Sequence, residues 1–169
     1  MNSKLFKKVR ILDPVFDADQ VADVLIIDGK IVAVEKNISQ FPTKTDIQDC
    51  QGLILGPGLV DLYCHSGDPG FEERETIESL TQASRAGGFT RLAILPDTFP
   101  PVDNSAGLAR LQNLATQATD KSAFPVLYYW GAITQGVKGE HMTELGELAA
   151  MGVVAVSYTH LRAHETRLN

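Results

Sequence analysis

Short apolar segments with two different rhythms divide the chain. Over residues 1–55 the apolar positions fall in β-branched runs at 6–12, 22–27, 30–34 and 47–55, the last around Cys50. Runs of this length predict strands. Asp28-Gly29 sits between two of them and signals a hairpin, while 37–45, with Pro42, reads as a connecting loop. From Pro57 onward strand and helix patterns alternate. A strand at 59–65 precedes a helix over about 74–86, with Ile77, Leu80 and Ala83 or Ser84 at helical spacing and Gly87-Gly88 to end it. A strand at 90–95 leads through the loop 96–101 to a helix ending near Ala118, capped by Asp103 or Asn104, with Leu108, Leu111 and Leu114 or Ala115 inward. Residues 125–133 predict a third strand. Thr143 is the candidate cap of a short helix over 144–150, and 153–155 start a fourth strand. Three strand–helix units and one more strand make about half of an eight-unit barrel, which needs ~250 residues. The predicted class is α/β: a partial β-sandwich over 1–55, then the first half of a (β/α)8 barrel over 56–155.

The stretch 56–70, GPGLVDLYCHSGDPG, organises this pattern. Its apolar segment ends in a polar cluster, and in parallel α/β folds ligands bind beyond the strand ends. Strict alternation puts Asp61, Tyr63 and His65 on one face and Leu62 and Cys64 on the other, against the first helix. An ordinary Asp-Pro-Gly turn after a buried strand is the competing reading.

Composition narrows the class. The chain has 169 residues, 44% hydrophobic and 21% charged, with a net charge of −6. That suits a soluble globular domain and gives no basic cluster for nucleic acid or an anionic membrane. No apolar run approaches ~18 residues, so the expectation is a cytoplasmic protein. Cys50 and Cys64 are too few for a disulfide framework and read as reduced thiols.

The stretch 56–70 resembles the metal-binding strand of the amidohydrolase superfamily, and within it the dihydroorotase branch, written P-G-[FL]-[VI]-D-x-H-x-H-x-R-[DE]-P-G. The framework positions 57–61 and 68–70 match. Arg74-Glu75-Thr76, Gly87-Gly88-Phe89-Thr90, Leu95-Pro96-Asp97-Thr98 and Pro100 to Asn104 follow the family in order and spacing. The resemblance implies a metal-dependent, zinc-binding hydrolase of a small cyclic amide, dihydroorotate, opened reversibly to N-carbamoyl-aspartate in pyrimidine biosynthesis. In such enzymes metal ions polarise the carbonyl and activate a bridging water.

The chemistry positions depart from the family. His65 remains as a candidate metal ligand, but Tyr63 stands where the first imidazole belongs, and a phenol must shed its proton to bind metal well. Gly67 stands at the position of a substrate-binding Arg and has no donor for a carboxylate. Asp97 stands where a substrate-binding Asn is usual, and its charge opposes an anionic substrate. No catalytic residue is assigned. These changes open a second reading, a non-catalytic paralog serving as a structural partner of aspartate transcarbamoylase or as a homo-oligomer. His141, in a polar loop, reads as a solvated residue, and at least two of Tyr128, Tyr129 and Trp130 read as core.

Residues 160–164 carry two imidazoles at i, i+4 beside Glu165, a superficial metal motif. The string 156–166, VSYTHLRAHET, is similar to a translated sequencing adapter, so 156–169 is expected to be a non-native tail with no packing of its own and the natural gene to break off near Ala155. Tyr158 then occupies the place of a family Asp ligand.

Overall fold

A computed structural model describes residues 2–118 and 125–157. The chain forms two compact units, residues 1–57 and 58–169.

The first unit is one mixed sheet of five strands: β1 (Ser3–Asp13), β2 (Ala18–Ile27), β3 (Lys30–Glu35), β4 (Asp46–Asp49) and β5 (Ile54–Leu55). The order is β3-β2-β1-β4, with β5 also on β1. β1–β2 and β2–β3 pair antiparallel, and β4 and β5 run parallel to β1. The predicted hairpin is present, with Asp28 at φ 47° and Gly29 at φ 79°, the left-handed pair that a two-residue turn needs. One apolar cluster gathers Leu5, Leu25 and Ile38, another Val9, Val24 and Cys50.

The single strand expected over 47–55 is instead two. Gly52 takes φ 85° and the Leu53 N–H closes a turn on the Cys50 carbonyl at 2.9 Å. That break mirrors one in β1, whose register shifts between Phe6 and Val9 with Lys8 at φ 57°. A left-handed lysine costs about 1–2 kcal/mol, and Asp23 offsets it. Its Oδ1 accepts the Lys8 N–H at 2.9 Å, its Oδ2 accepts the Ile38 N–H at 3.1 Å, and the Lys7 ammonium lies 3.6 Å away. Burial of Asp23 opposes its charge, but these partners outweigh burial and hold its carboxyl below the ordinary range.

The second unit is a parallel sheet in sequence order, β6 (Leu59–Cys64), β7 (Phe89–Ile94), β8 (Val126–Ala132) and β9 (Val153–Ser157). Helices α1 (Ile77–Ala86), α2 (Ser105–Ala118) and α3 (Leu145–Ala150) fill the connections. This is the strand–helix alternation of half a (β/α)8 barrel. Thr76 caps α1: its hydroxyl accepts the Ser79 N–H while Ser79 Oγ accepts the Thr76 N–H, a capping box. Asn104 Oδ1 accepts the Gly107 N–H at 2.9 Å at the start of α2. Ile77 and Leu80 of α1, Leu108, Leu111 and Ala115 of α2, and Leu148 of α3 pack on Cys64, Leu92, Ile94 and Tyr129 of the strands. No helix among the described residues is long and apolar enough to cross a membrane.

Several local expectations need correction. Thr143 does not cap α3. Its hydroxyl donates to the Ala132 carbonyl at 2.9 Å, because the loop before α3 folds back on the end of β8. Of the three adjacent aromatics only Tyr129 is fully packed, and Tyr128 is exposed. Val156 and Ser157, assigned from sequence to the foreign tail, complete β9 opposite Gly131 and Ala132. Ser157 is buried and its carbonyl accepts the Ile133 N–H at 3.2 Å. A β-branched residue in register extends a parallel ladder whatever its coding origin. The rest of that tail, with Tyr158, His160, His164 and Glu165, lies outside the described residues.

Asp23 sets a pH dependence for the first unit. Its folded carboxyl titrates below the unfolded value of about 3.9, so its contribution is complete above that value and is lost as pH falls through the folded pKa. We expect Asp23→Ala to cost about 1–3 kcal/mol by orphaning the buried Ile38 N–H, with the deficit shrinking on acidification below pH ~4. Hydrogen exchange at the Lys8 and Ile38 amides checks both effects.

Candidate functional site

The C-terminal ends of β6, β7 and β8 bring three candidate residues from the sequence, Tyr63, His65 and Asp97, into one neighbourhood with Trp130. His65 follows the last residue of β6, and Asp97 lies three residues beyond the end of β7. The Leu95 N–H donates to the Cys64 carbonyl at 2.9 Å and carries the ladder one step past the named strands. Above it the His65 Nδ1 and Asp97 Oδ2 are 2.5 Å apart. Asp97 Oδ1 is buried and has no hydrogen-bond partner among the described residues. The Tyr63 ring stands edge-on to His65, centroids 5.8 Å apart, and edge-on to Trp130 at 6.0 Å.

The expected alternation along β6 holds at its end and fails in its middle. Cys64 is buried against Ile77 and Leu80 of α1, and Tyr63 joins the ring cluster with Trp130, which by alternation lies on the face opposite buried Tyr129. Leu62, expected against the first helix, is 69% exposed, and Asp61 stands level with Leu92. The register shifts between Asp61 and Cys64, where the Asp61 carboxylate accepts the Tyr63 N–H at 2.9 Å. A side chain that bonds its own backbone two residues on competes with the ladder, and the strand bulges.

No side chain fits at Gly67 as the loop is folded. A Cβ there would lie 2.3 Å from the Glu75 carbonyl oxygen and 2.6 Å from that of Phe71. The loop has folded onto the space, with the Phe71 N–H on the Gly67 carbonyl at 2.6 Å. Next to it Gly70, at φ 104°, would place a Cβ 2.4 Å from the Phe99 carbonyl oxygen, and the Phe99 N–H donates to Pro69 at 2.8 Å. The loops after β6 and β7 are thus joined backbone to backbone. Arg74 of the Arg-Glu-Thr motif lies over the Phe71 ring, 5.6 Å from its centroid.

A pair of metal ions, which the family resemblance implies, does not fit the described residues. Among the described residues His65 is the one imidazole at this end of the sheet, its Nδ1 is committed to Asp97, and the neighbouring position is a phenol edge-on to two rings. Cys64 offers no thiolate: burial, then the charges of Asp61, Glu75 and Asp97, push its thiol up to about 11. Among the described residues no three His, Cys, Asp or Glu side chains converge on a common point. His141 is exposed on its own loop. Trp130 was missed as a neighbour of the site, although its alternation with Tyr129 along a strand was the signal that could have found it.

Comparison with known proteins gives a consistent background. The family described as Dihydro-orotase-like matches residues 52–165. A dihydroorotase of Caldicellulosiruptor saccharolyticus is 38% identical over 153 residues, 90% of this chain and 35% of the relative. A dihydroorotase of Syntrophotalea carbinolica is 43% identical over 148 residues, 88% of this chain and 33% of the relative. The chain thus spans about a third of the length of the curated relatives it matches. Among solved structures, the L-hydantoinase (dihydropyrimidinase) of Arthrobacter aurescens superposes with a TM-score of 0.72 at 24% identity, over 92% of this chain and 32% of that one. A dihydroorotase structure superposes with a TM-score of 0.57 at 16% identity, over 95% of this chain and 44% of that one.

The glycine geometry is directly testable. Gly67→Ala forces two backbone carbonyls to move and should cost about 1–3 kcal/mol. Gly146→Ala, in α3 with nothing within 4 Å of the added Cβ, should be neutral or stabilising by up to about 1 kcal/mol. Trp130 is the chain's single tryptophan, so thermal melting followed by its fluorescence reads both variants.

Proposed function

Because the chain belongs to the dihydro-orotase-like family, we propose that it is the N-terminal portion of a dihydroorotase-like cyclic amide hydrolase whose metal site is degenerate. The framework is that of enzymes opening the ring amide of dihydroorotate to N-carbamoyl-aspartate, a zinc-dependent cytoplasmic step of pyrimidine biosynthesis. The observation that carries the degenerate reading is Tyr63: it occupies an imidazole position and is packed edge-on between His65 and Trp130. Two-metal activation of water needs ligands that this strand does not supply.

Gly67 favours a second, related role. A substrate carboxylate is held best by a bidentate guanidinium, and the loop backbone fills the space where that side chain would begin. A family framework kept without its substrate clamp suits a non-catalytic paralog, acting as a structural partner of aspartate transcarbamoylase. The adapter reading of the tail, residues 156–169, concerns coding origin and is part of the same proposal.

The test is turnover of dihydroorotate with added zinc. We expect none from this chain, and none from its Tyr63→His/Gly67→Arg variant, because an arginine at 67 cannot enter without displacing the Phe71 and Glu75 backbone. Zinc-dependent turnover by the unmodified full-length protein would overturn the degenerate reading. Tight co-purification with a transcarbamoylase in the absence of turnover would support the structural role.

A further inference from the structure

The His65–Asp97 pair does more than occupy two altered positions. A neutral imidazole has one N–H and one bare nitrogen, and which is which follows from the bond the ring makes. Asp97 Oδ2 lies 2.5 Å from Nδ1, and a carboxylate can only accept. The proton of a neutral His65 therefore belongs on Nδ1, leaving Nε2 as a lone pair. Nε2 has no hydrogen-bond partner among the described residues, and the His65 side chain is 62% exposed at the strand ends.

The surroundings keep Asp97 in this task. Its Oδ1 is buried without a partner, so the hydrogen bond the carboxylate makes is the one to His65. The backbone beneath is fixed by the Leu95–Cys64 bond, and the two loops are joined again at Pro69–Phe99. On the other side the Tyr63 ring limits how the imidazole turns.

We infer that Asp97 is a positioning residue for His65: it holds the imidazole in the Nδ1–H tautomer and directs Nε2 outward from the ends of the strands as the one acceptor His65 offers. On this account Asp97 does not contact substrate in place of an amide. It makes His65 a single carboxylate-backed imidazole, the arrangement in which a carboxylate on one ring nitrogen fixes the tautomer and the ring orientation. Whatever His65 meets, a hydrogen-bond donor or one divalent cation, it meets through Nε2. The inference rests on the geometry of this pair and stands or falls independently of whether dihydroorotate is turned over.

Nitrogen-15 NMR of the labelled chain tests it, in EDTA and without substrate, at a pH where imidazoles are neutral. Long-range proton–nitrogen correlations distinguish the two tautomers, and His65→Gln assigns the His65 signals among the four histidines. We expect His65 to carry its proton on Nδ1 with Nε2 bare, while exposed His141 shows the Nε2–H form that an unconstrained side chain prefers. Asp97→Ala, and Asp97→Leu as a shape-preserving variant without an acceptor, should return His65 to the Nε2–H form with the Trp130 emission unchanged. A wild-type His65 protonated on Nε2, or an Nδ1–H form that persists in a folded Asp97→Ala or Asp97→Leu variant, would overturn the assignment. The wild-type spectrum decides even where a variant does not fold.

Discussion

The loops after β6 and β7 meet backbone to backbone because Gly70 removes the side chain that would separate them, while Gly67 lets the loop after β6 fold onto itself. A Cβ on Gly67 would enter the Phe71 and Glu75 backbone, and one on Gly70 would enter Phe99. That approach brings the Phe99 N–H onto Pro69 and lets His65 reach Asp97 across the loops. Separately, the Phe71 and Glu75 backbone of the first loop leaves no room for a side chain at position 67.

Much of this was legible in the sequence. The change of rhythm at Pro57, the Asp-Gly hairpin, and the helix spacings of Ile77–Leu80 and Leu108–Leu111 all stem from local chemistry, and the structure places them accordingly. What the sequence hid arose where one group had two partners to choose from. The Asp61 carboxylate takes the Tyr63 N–H and bulges β6, which periodicity of two cannot foresee. Thr143 prefers the end of β8 to the start of α3. Gly67 reads in sequence as a lost side chain, and only the fold shows that its neighbours have filled the space.

The first unit repeats the lesson with a buried carboxylate. Asp23 lies in a strand that reads as simply apolar, yet it anchors the left-handed Lys8 and the Ile38 amide. The bulge it holds matches the Gly52 turn that splits β4 from β5, so the break in one strand answers the break in its neighbour. Buried charge here fixes backbone geometry, the role in which full hydrogen bonding repays desolvation.

At the strand ends, Tyr63, His65, Asp97 and Trp130 form a carboxylate-backed imidazole beside an aromatic pair, a donor set that does not fit two metal ions. Metal content measures this most directly. The chain would be equilibrated with excess zinc, desalted, and analysed for zinc per chain by elemental mass spectrometry. The predicted result is at most one zinc ion retained per chain. Two retained zinc ions per chain, lost together on His65→Gln, would contradict it.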